Sequence, residues 1–197
     1  GIYETGRVHI DNLMFWKNGA SLSTAVNFTH ESVVDGFDIV EGVRVSPGDY
    51  DHQELTVYAS TDKSAPLNFG IRFIAGGFFG GDRITASPNI GYRIGDQFKV
   101  NLSVNHNDVE VPGGEFKFKL SQLKLSYSFS SKISLQAFVQ HNERDDVFAT
   151  NIRFSWLRSA NSGLFVVYNE TDDDVLHPGR PRKEFILKYS HIFELLK

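Results

Sequence analysis

Residues Gln97 to Asn142 read QFKVNLSVNHNDVEVPGGEFKFKLSQLKLSYSFSSKISLQAFVQHN, and the spacing of apolar side chains within them decides the fold. Phe98, Val100, Leu102 and Val104 occupy every second position, with Lys99, Asn101, Ser103 and Asn105 between them. Period two belongs to a β-strand. After Pro112-Gly113-Gly114 the pattern resumes through Phe116, Phe118 and Leu120, then runs one residue out of phase through Leu123, Leu125, Tyr127 and Phe129. That slip predicts a β-bulge near Ser121 and Gln122. A third run, Ile133, Leu135, Ala137 and Val139, follows the turn at Ser130-Ser131-Lys132, and its polar partners Ser134, Gln136 and Gln140 are interrupted by one exception, Phe138. Each segment is about ten residues or longer, against a usual strand of about five or six.

The same alternation extends outward in both directions. Upstream lie Val8, Ile10, Met14 and Trp16, then the Asn18-Gly19 turn, then Leu22, Thr24, Val26, Phe28 and His30. A long connection spans Val33 to Asp49, followed by strands through Leu55 to Ala59, Leu67 to Ala75 and Ile84 to Ile94, the last two separated by Gly76-Gly77-Phe78-Phe79-Gly80-Gly81. Downstream come Ile152 to Trp156, Leu164 to Tyr168 and Phe185 to Phe193. The reading predicts about eleven strands and no helix. Short turns at Asn18, Lys63, Gly95, Ser131 and Asn161 alternate with longer or Gly-rich loops at Gly42, Gly77, Pro112, Glu143 and Asp174. Outer-membrane barrels carry short turns at one end and longer loops at the other.

The chain has 197 residues with 22% charged and 41% hydrophobic content, enough for an ordered domain over 1–197. A net charge of -4 with both signs scattered gives no basic stripe, so no nucleic acid is expected as a partner. The absence of cysteine removes disulfides, thiolate metal sites and cysteine nucleophiles. The longest apolar stretch, Leu67 to Gly81, is broken by Asn68 and Arg72 and is too short for a spanning helix. The chain begins with Gly and shows no charged-then-apolar leader, so any signal sequence is expected upstream.

The fold expected is therefore all-β, an antiparallel up-and-down transmembrane β-barrel, with these strands forming the C-terminal part of a larger barrel. Strand parity extends this. If Phe193 ends a strand in the periplasm, Thr5 to Trp16 also runs downward, and an odd number of strands is expected upstream. Aromatic girdles at the membrane interfaces are expected from Trp16, Phe129, Trp156, Tyr189 and Phe193. Lys99, Asn101, Asn105, Arg153 and Lys188 are the candidates for the lumen side, and the alternation leaves Lys117 to Lys124 ambiguous. A soluble sandwich or lipocalin-like binder also alternates apolar and polar residues, but the strand lengths and the Ser, Asn, Gln, Thr and Lys of the second face favour the membrane.

Trp16 to Glu31 (WKNGASLSTAVNFTHE), the Phe37 to Tyr50 loop ending in PGDY, GGFFGG, the stretch from Asn107 to Asn142, and Asn151 to Glu170 (NIRFSWLRSANSGLFVVYNE) share a further feature. Together they resemble the C-terminal outer-membrane barrel domain, of unassigned function, that follows a family-nine-like carbohydrate-binding domain in Gram-negative bacteria. The resemblance implies a signal peptide and a sugar-binding domain upstream, and it supplies no catalytic residues. Ala160-Asn161-Ser162-Gly163 departs from the Pro-Gly-Ser usual before the LF of that block. The partners expected are outer-membrane lipid, lipopolysaccharide, the barrel-assembly machinery and, through the upstream domain, carbohydrate.

Chemistry within the chain is sparse. His30 and Ser32 are two apart on one strand and so share a face, as a Ser-His pair of an outer-membrane lipid hydrolase does, with Asn27 or Asn142 to orient the His. No oxyanion donors can be named, and a non-catalytic segment is favoured. Asp172-Asp173-Asp174 lacks the spacing of a Ca²⁺ loop and reads as a solvated acidic loop. His106, His141, His177 and His191 lie on different segments, so no metal site and no cofactor are expected.

Overall fold

The computed structural model describes residues 5–159, 162–173 and 179–191. Its elements are β1 (Thr5–Phe15), β2 (Ser21–Val33), β3 (Phe37–Val40), β4 (Val43–Val45), β5 (Gly48–Ser60), β6 (Leu67–Phe78) and β7 (Gly81–Ile94). They continue with β8 (Phe98–Val111), β9 (Gly114–Ser130), β10 (Ile133–Asn142), β11 (Val147–Ser159), β12 (Ser162–Asp173) and β13 (Arg182–His191). Eleven strands form one sheet in the order β1-β2-β5-β6-β7-β8-β9-β10-β11-β12-β13, and β3 and β4 form a separate two-stranded hairpin. The fold is all-β and antiparallel, an up-and-down meander in which each sheet strand neighbours the next. The sheet strands run from 10 to 17 residues. About 9 to 11 residues suffice for a tilted strand to cross a bilayer.

Two compact units divide the chain, Gly1–Asn89 with Val104–Lys119, and Ile90–Ser103 with Leu120–Lys197. In the first, the cross-strand rows Ile10–Val26–Leu55–Ala75 and Met14–Leu22–Ala59–Ile71 lie on one face. His9–Asn27–Glu54–Gly76 and Asp11–Ala25–Thr56–Ile74 lie on the other. In the second unit the rows Tyr127–Leu135–Phe154–Val166–Leu187 and Leu125–Ala137–Ile152–Tyr168–Phe185 are apolar, and the row Lys124–Phe138–Asn151–Asn169–Glu184 is mostly polar. Register fixes these faces, because a slip of one residue would exchange them.

Burial runs opposite to that of a soluble protein. Asn27 is 2% exposed and Glu54 9%, while Ile10 is 62% exposed and Phe185 68%. Large apolar side chains are rarely left open to water in such number.

Three expectations require correction. No bulge interrupts β9 at Ser121 or Gln122, which pair in unbroken register with His141 and Gln140, the shift in that strand pair lying instead between Ile133 and Ser134. The apolar run of β9 changes face instead, with Phe116 packing into the cluster described below. The Gly-rich loops expected at Gly77 and Pro112 are two-residue connections, Phe79-Gly80 and Pro112-Gly113, with most of the glycines inside strands. Phe79 and Gly80 both take positive φ, 46° and 80°, as a two-residue hairpin turn of this hand requires, so β6 and β7 continue to the very tip. The long connection from Val33 to Asp49 folds back as the β3–β4 hairpin.

That hairpin seats an apolar cluster of Val43, Val109 and Val111, with Ile39, Val40, Phe78, Phe79 and Phe116 around it. Gly113 lets the two backbones meet, since a Cβ there would sit 2.0 Å from the Arg44 carbonyl oxygen. Gly113→Ala is expected to lift the hairpin without disturbing the sheet. Limited proteolysis should then cut within residues 36–47 faster than in the parent chain, while strand content by circular dichroism stays unchanged.

Candidate polar interior and its charged residues

Alternation delivers the side chains of the polar face, and in the first unit many of them bond one another across strands, with His52 Nδ1 and Arg83 Nε left buried without a partner. Arg7 Nη2 donates to Asn27 Oδ1 at 2.8 Å, and His9 Nδ1 lies 2.6 Å from the same oxygen. Asn27 Nδ2 in turn reaches Thr56 Oγ1 at 3.5 Å. On the neighbouring strands Arg83 is paired with Glu54, and its guanidinium lies 4.6 Å from the centroid of the Phe78 ring. Thr85 Oγ1 donates to Asn107 Oδ1 at 2.7 Å, Asn107 donates to Asn105, and Asn105 Nδ2 donates to Ser87 Oγ at 2.9 Å. Apart from Arg7 and His9 on the exposed strand β1, these groups are buried or half-buried, where an unpaired donor or charge is costly. The result is a cross-strand polar ladder in which Arg83 and Glu54 are matched charges and Arg7 meets an amide oxygen.

Above this ladder stands an aromatic group. Phe79 meets Phe37 at 5.6 Å, Tyr50 at 5.4 Å and Phe78 at 4.8 Å between centroids, all edge to face. Tyr50 Oη also donates to the Ser46 carbonyl at 2.8 Å, tying β5 to the connection that carries the hairpin. Phe78 and Phe79 join the cluster under the hairpin.

The second unit is differently arranged. Arg153 stands opposite Gln136 and Val167, and Lys188 opposite Phe165, both on the face of Lys124. Lys99 and Asn101 line one hollow with Lys124, Ser126, Gln136, Phe138 and Asn151. Register thus places Lys124 on the polar face. In the first unit Lys117 instead pairs with Asp108 at 2.9 Å near the loop end. Among the described residues no carboxylate pairs with Lys99, Lys124, Arg153 or Lys188.

The aromatic candidates sit on the apolar side. Trp156, Leu164 and Tyr189 form one cross-strand row, with Trp156 48% and Tyr189 64% exposed. Tyr127 and Phe129 meet edge to face at 4.6 Å. Trp16 is likewise exposed, next to the turn at Asn18. Phe193 lies outside the described residues.

The hydrolase arrangement is not assembled. His30 Nδ1 lies 2.8 Å from Asp51 Oδ1, and Ser32 donates to Asp49, each partner being the residue directly opposite on β5. Asn27 points to the opposite face and is engaged by Arg7 and His9, while Asn142 Nδ2 donates to Asp145 at 2.6 Å. Neither Asn can orient His30. Among the described residues no three His, Asp or Glu side chains gather as a metal site. Asp174 and His177 lie outside the described residues.

No protein-family model and no curated protein matches the chain. Among solved structures it is similar to the KdgM porin, at 11% identity over 96% of this chain and 92% of that one, with a TM-score of 0.39. The KdgM porin in complex with disordered oligogalacturonate gives the same figures. The NanC porin in a rhombohedral crystal form is 8% identical, covering 96% of this chain and 94% of that one, again with a TM-score of 0.39. At that TM-score the likenesses add no weight of their own, and the site is read from register and burial.

Asn27 with Arg7, His9 and Thr56, Arg83 with Glu54, and Thr85 with Asn107 and Asn105 are three groupings that counting along single strands does not show. Period-two counting puts each on the polar face; their mutual contact depends on strand pairing. Glu54→Gln is expected to leave Arg83 without its counter-charge and to lower unfolding stability by about 3 kcal/mol. Urea unfolding should show this, with much of the loss recovered when Arg83→Met is added.

Proposed function

We propose that this chain forms wall strands of an outer-membrane β-barrel with a transport role, its apolar face on lipid and its polar face along a solute path. The observation that carries the reading is the inverted burial: Asn27 and Glu54 are enclosed while Ile10, Phe185 and Leu187 stand open. In lipid the exposed apolar rows are the solvated ones. Every backbone N–H and C=O of a spanning strand must also be bonded within protein, which a long antiparallel ladder achieves and a helix-free soluble sheet does not need to this length. β1 and β13 each have one neighbour in the strand order, so the proposal includes further pairing for both edges. Trp156 and Tyr189 serve as interface anchors on this reading, and Lys99, Asn101, Asn105, Arg153 and Lys188 face the path.

The location proposed is the Gram-negative outer membrane, with lipid and lipopolysaccharide outside and the barrel-assembly machinery for insertion. A link to carbohydrate handling is part of the proposal through the family resemblance. It needs an upstream sugar-binding domain.

Full-length protein, refolded into planar bilayers, is expected to give discrete conductance steps and to fractionate with outer membranes. A protein that stays soluble without detergent and opens no channel overturns the reading. A paired substitution tests the faces. Ile152→Lys should cost about 2 to 4 kcal/mol of folding stability in lipid vesicles, and Asn151→Lys, one residue away, under about 1 kcal/mol.

A further inference from the structure

Phe138 is the one break in the alternation of β10, and the structure keeps it on the polar face. It sits between Lys124 and Asn151 in its cross-strand row, with Lys124 Nζ 5.6 Å from the ring centroid. No aromatic ring stacks on it among the described residues. A hollow of about 340 Å³ opens against it, lined by Lys99, Asn101, Lys124, Gln136 and Asn151. A second hollow of about 490 Å³, reaching toward Arg180 and Arg182, is also lined by Phe138. Both volumes are of ligand size.

Charge around the ring is unbalanced. Lys99, Lys124, Arg153, Arg182 and Lys188 belong to this side, with Glu184, Asp173 and the Lys183-paired Glu170 as the acids, in a chain whose net charge is -4. Glu184 accepts from Asn169 Nδ2 at 3.0 Å. Arg83 of the first unit, by contrast, has Glu54. Arg83 is thus matched in the first unit, while Lys99, Lys124, Arg153 and Lys188 of the second are exposed and have no carboxylate partner among the described residues.

Resting on the reading that this face meets solutes, we propose that Phe138 with Lys99, Lys124 and Arg153 forms a stacking and charge-pairing site for an anionic sugar. The site supplies three kinds of contact together. A flat apolar ring suits the C–H face of a pyranose, the amides of Asn101, Gln136 and Asn151 suit its hydroxyls as both donors and acceptors, and the cations suit a carboxylate. An inorganic anion would use the cations and leave the ring without a role. A neutral sugar would leave the cations without one.

The test uses detergent-folded full-length protein, so that it does not depend on conductance, and reads binding of glucuronate by saturation-transfer NMR with glucose and acetate as comparisons. Glucuronate is expected to bind more tightly than either. Lys124→Gln and Phe138→Ala should each weaken it roughly tenfold, the equivalent of one charge-assisted contact, and Phe138→Trp should retain it. Heat-modifiable migration on gels confirms that each variant is folded. Equal binding of acetate and glucuronate, or glucuronate binding indifferent to Phe138, overturns the proposal even in a protein that conducts. Loss of conductance with glucuronate binding intact would instead remove the transport reading and leave the site standing.

Discussion

Unbroken cross-strand register is the constraint on which everything else depends. A strand has only two faces, and successive residues alternate between them, so one slipped residue would carry every Val, Ile and Phe of a strand to the wrong side. β1 and β2 hold register for eleven consecutive pairs, from Thr5 opposite Glu31 to Phe15 opposite Ser21. β2 and β5 continue it from Ser21 opposite Ser60 to Val33 opposite Gly48. In a soluble sheet such length is unnecessary. In a hydrocarbon layer it is required, because an unpaired backbone group there has no water to bond and costs several kcal/mol.

The strand arrangement was legible in the sequence because period two is a local property. Ile10, Val26, Leu55 and Ala75 can each be placed on the apolar face by counting along their own strands, with no knowledge of their neighbours. Contacts across strands were not legible in the same way. Asn27 bonds Arg7, His9 and Thr56 from two other strands, and which residues meet depends on a register that counting does not supply. The bulge expected near Ser121 shows the converse limit. A bulge there would place Phe116 and Phe118 on one face with Leu123 and Leu125. Phe116 instead has a second apolar environment, the Val43 cluster, and a strand can serve both by changing face without adding a residue.

The β3–β4 hairpin was hidden for a related reason. Its strands are only four and three residues long, and Gly36, Gly42, Pro47 and Gly48 around them read as loop. What holds it is tertiary. Val43 and Val45 are 6% and 2% exposed, among the most enclosed apolar side chains described in the first unit. The contrast with Val8, 58% exposed, is instructive: a valine is left open on the sheet and enclosed where the hairpin packs. The enclosed apolar cluster sits where the hairpin excludes water. The open rows have no such cover.

A hairpin seated on an apolar cluster and a polar ladder with matched charges make the first unit's interior self-sufficient. Arg83 is held by Glu54 and Phe78, with its Nε left unpartnered, and Asn105 and Asn107 close on Ser87 and Thr85. Self-sufficiency stabilises a wall but gives a passing solute little to bind. The second unit differs in that one respect. Its Lys99, Lys124, Arg153 and Lys188 have no carboxylate partner among the described residues, and Phe138 occupies a position that alternation would give to a polar residue. Leaving Lys124 and Arg153 unmatched forgoes the coupling that an acid at Asn151 or Gln136 would provide, and like charges sharing one face repel. Such an arrangement costs folding stability and gains nothing in the isolated chain. An occupant carrying negative charge offsets that cost, which is why the departure from alternation at Phe138 and the surplus of cations around it point to the same ligand.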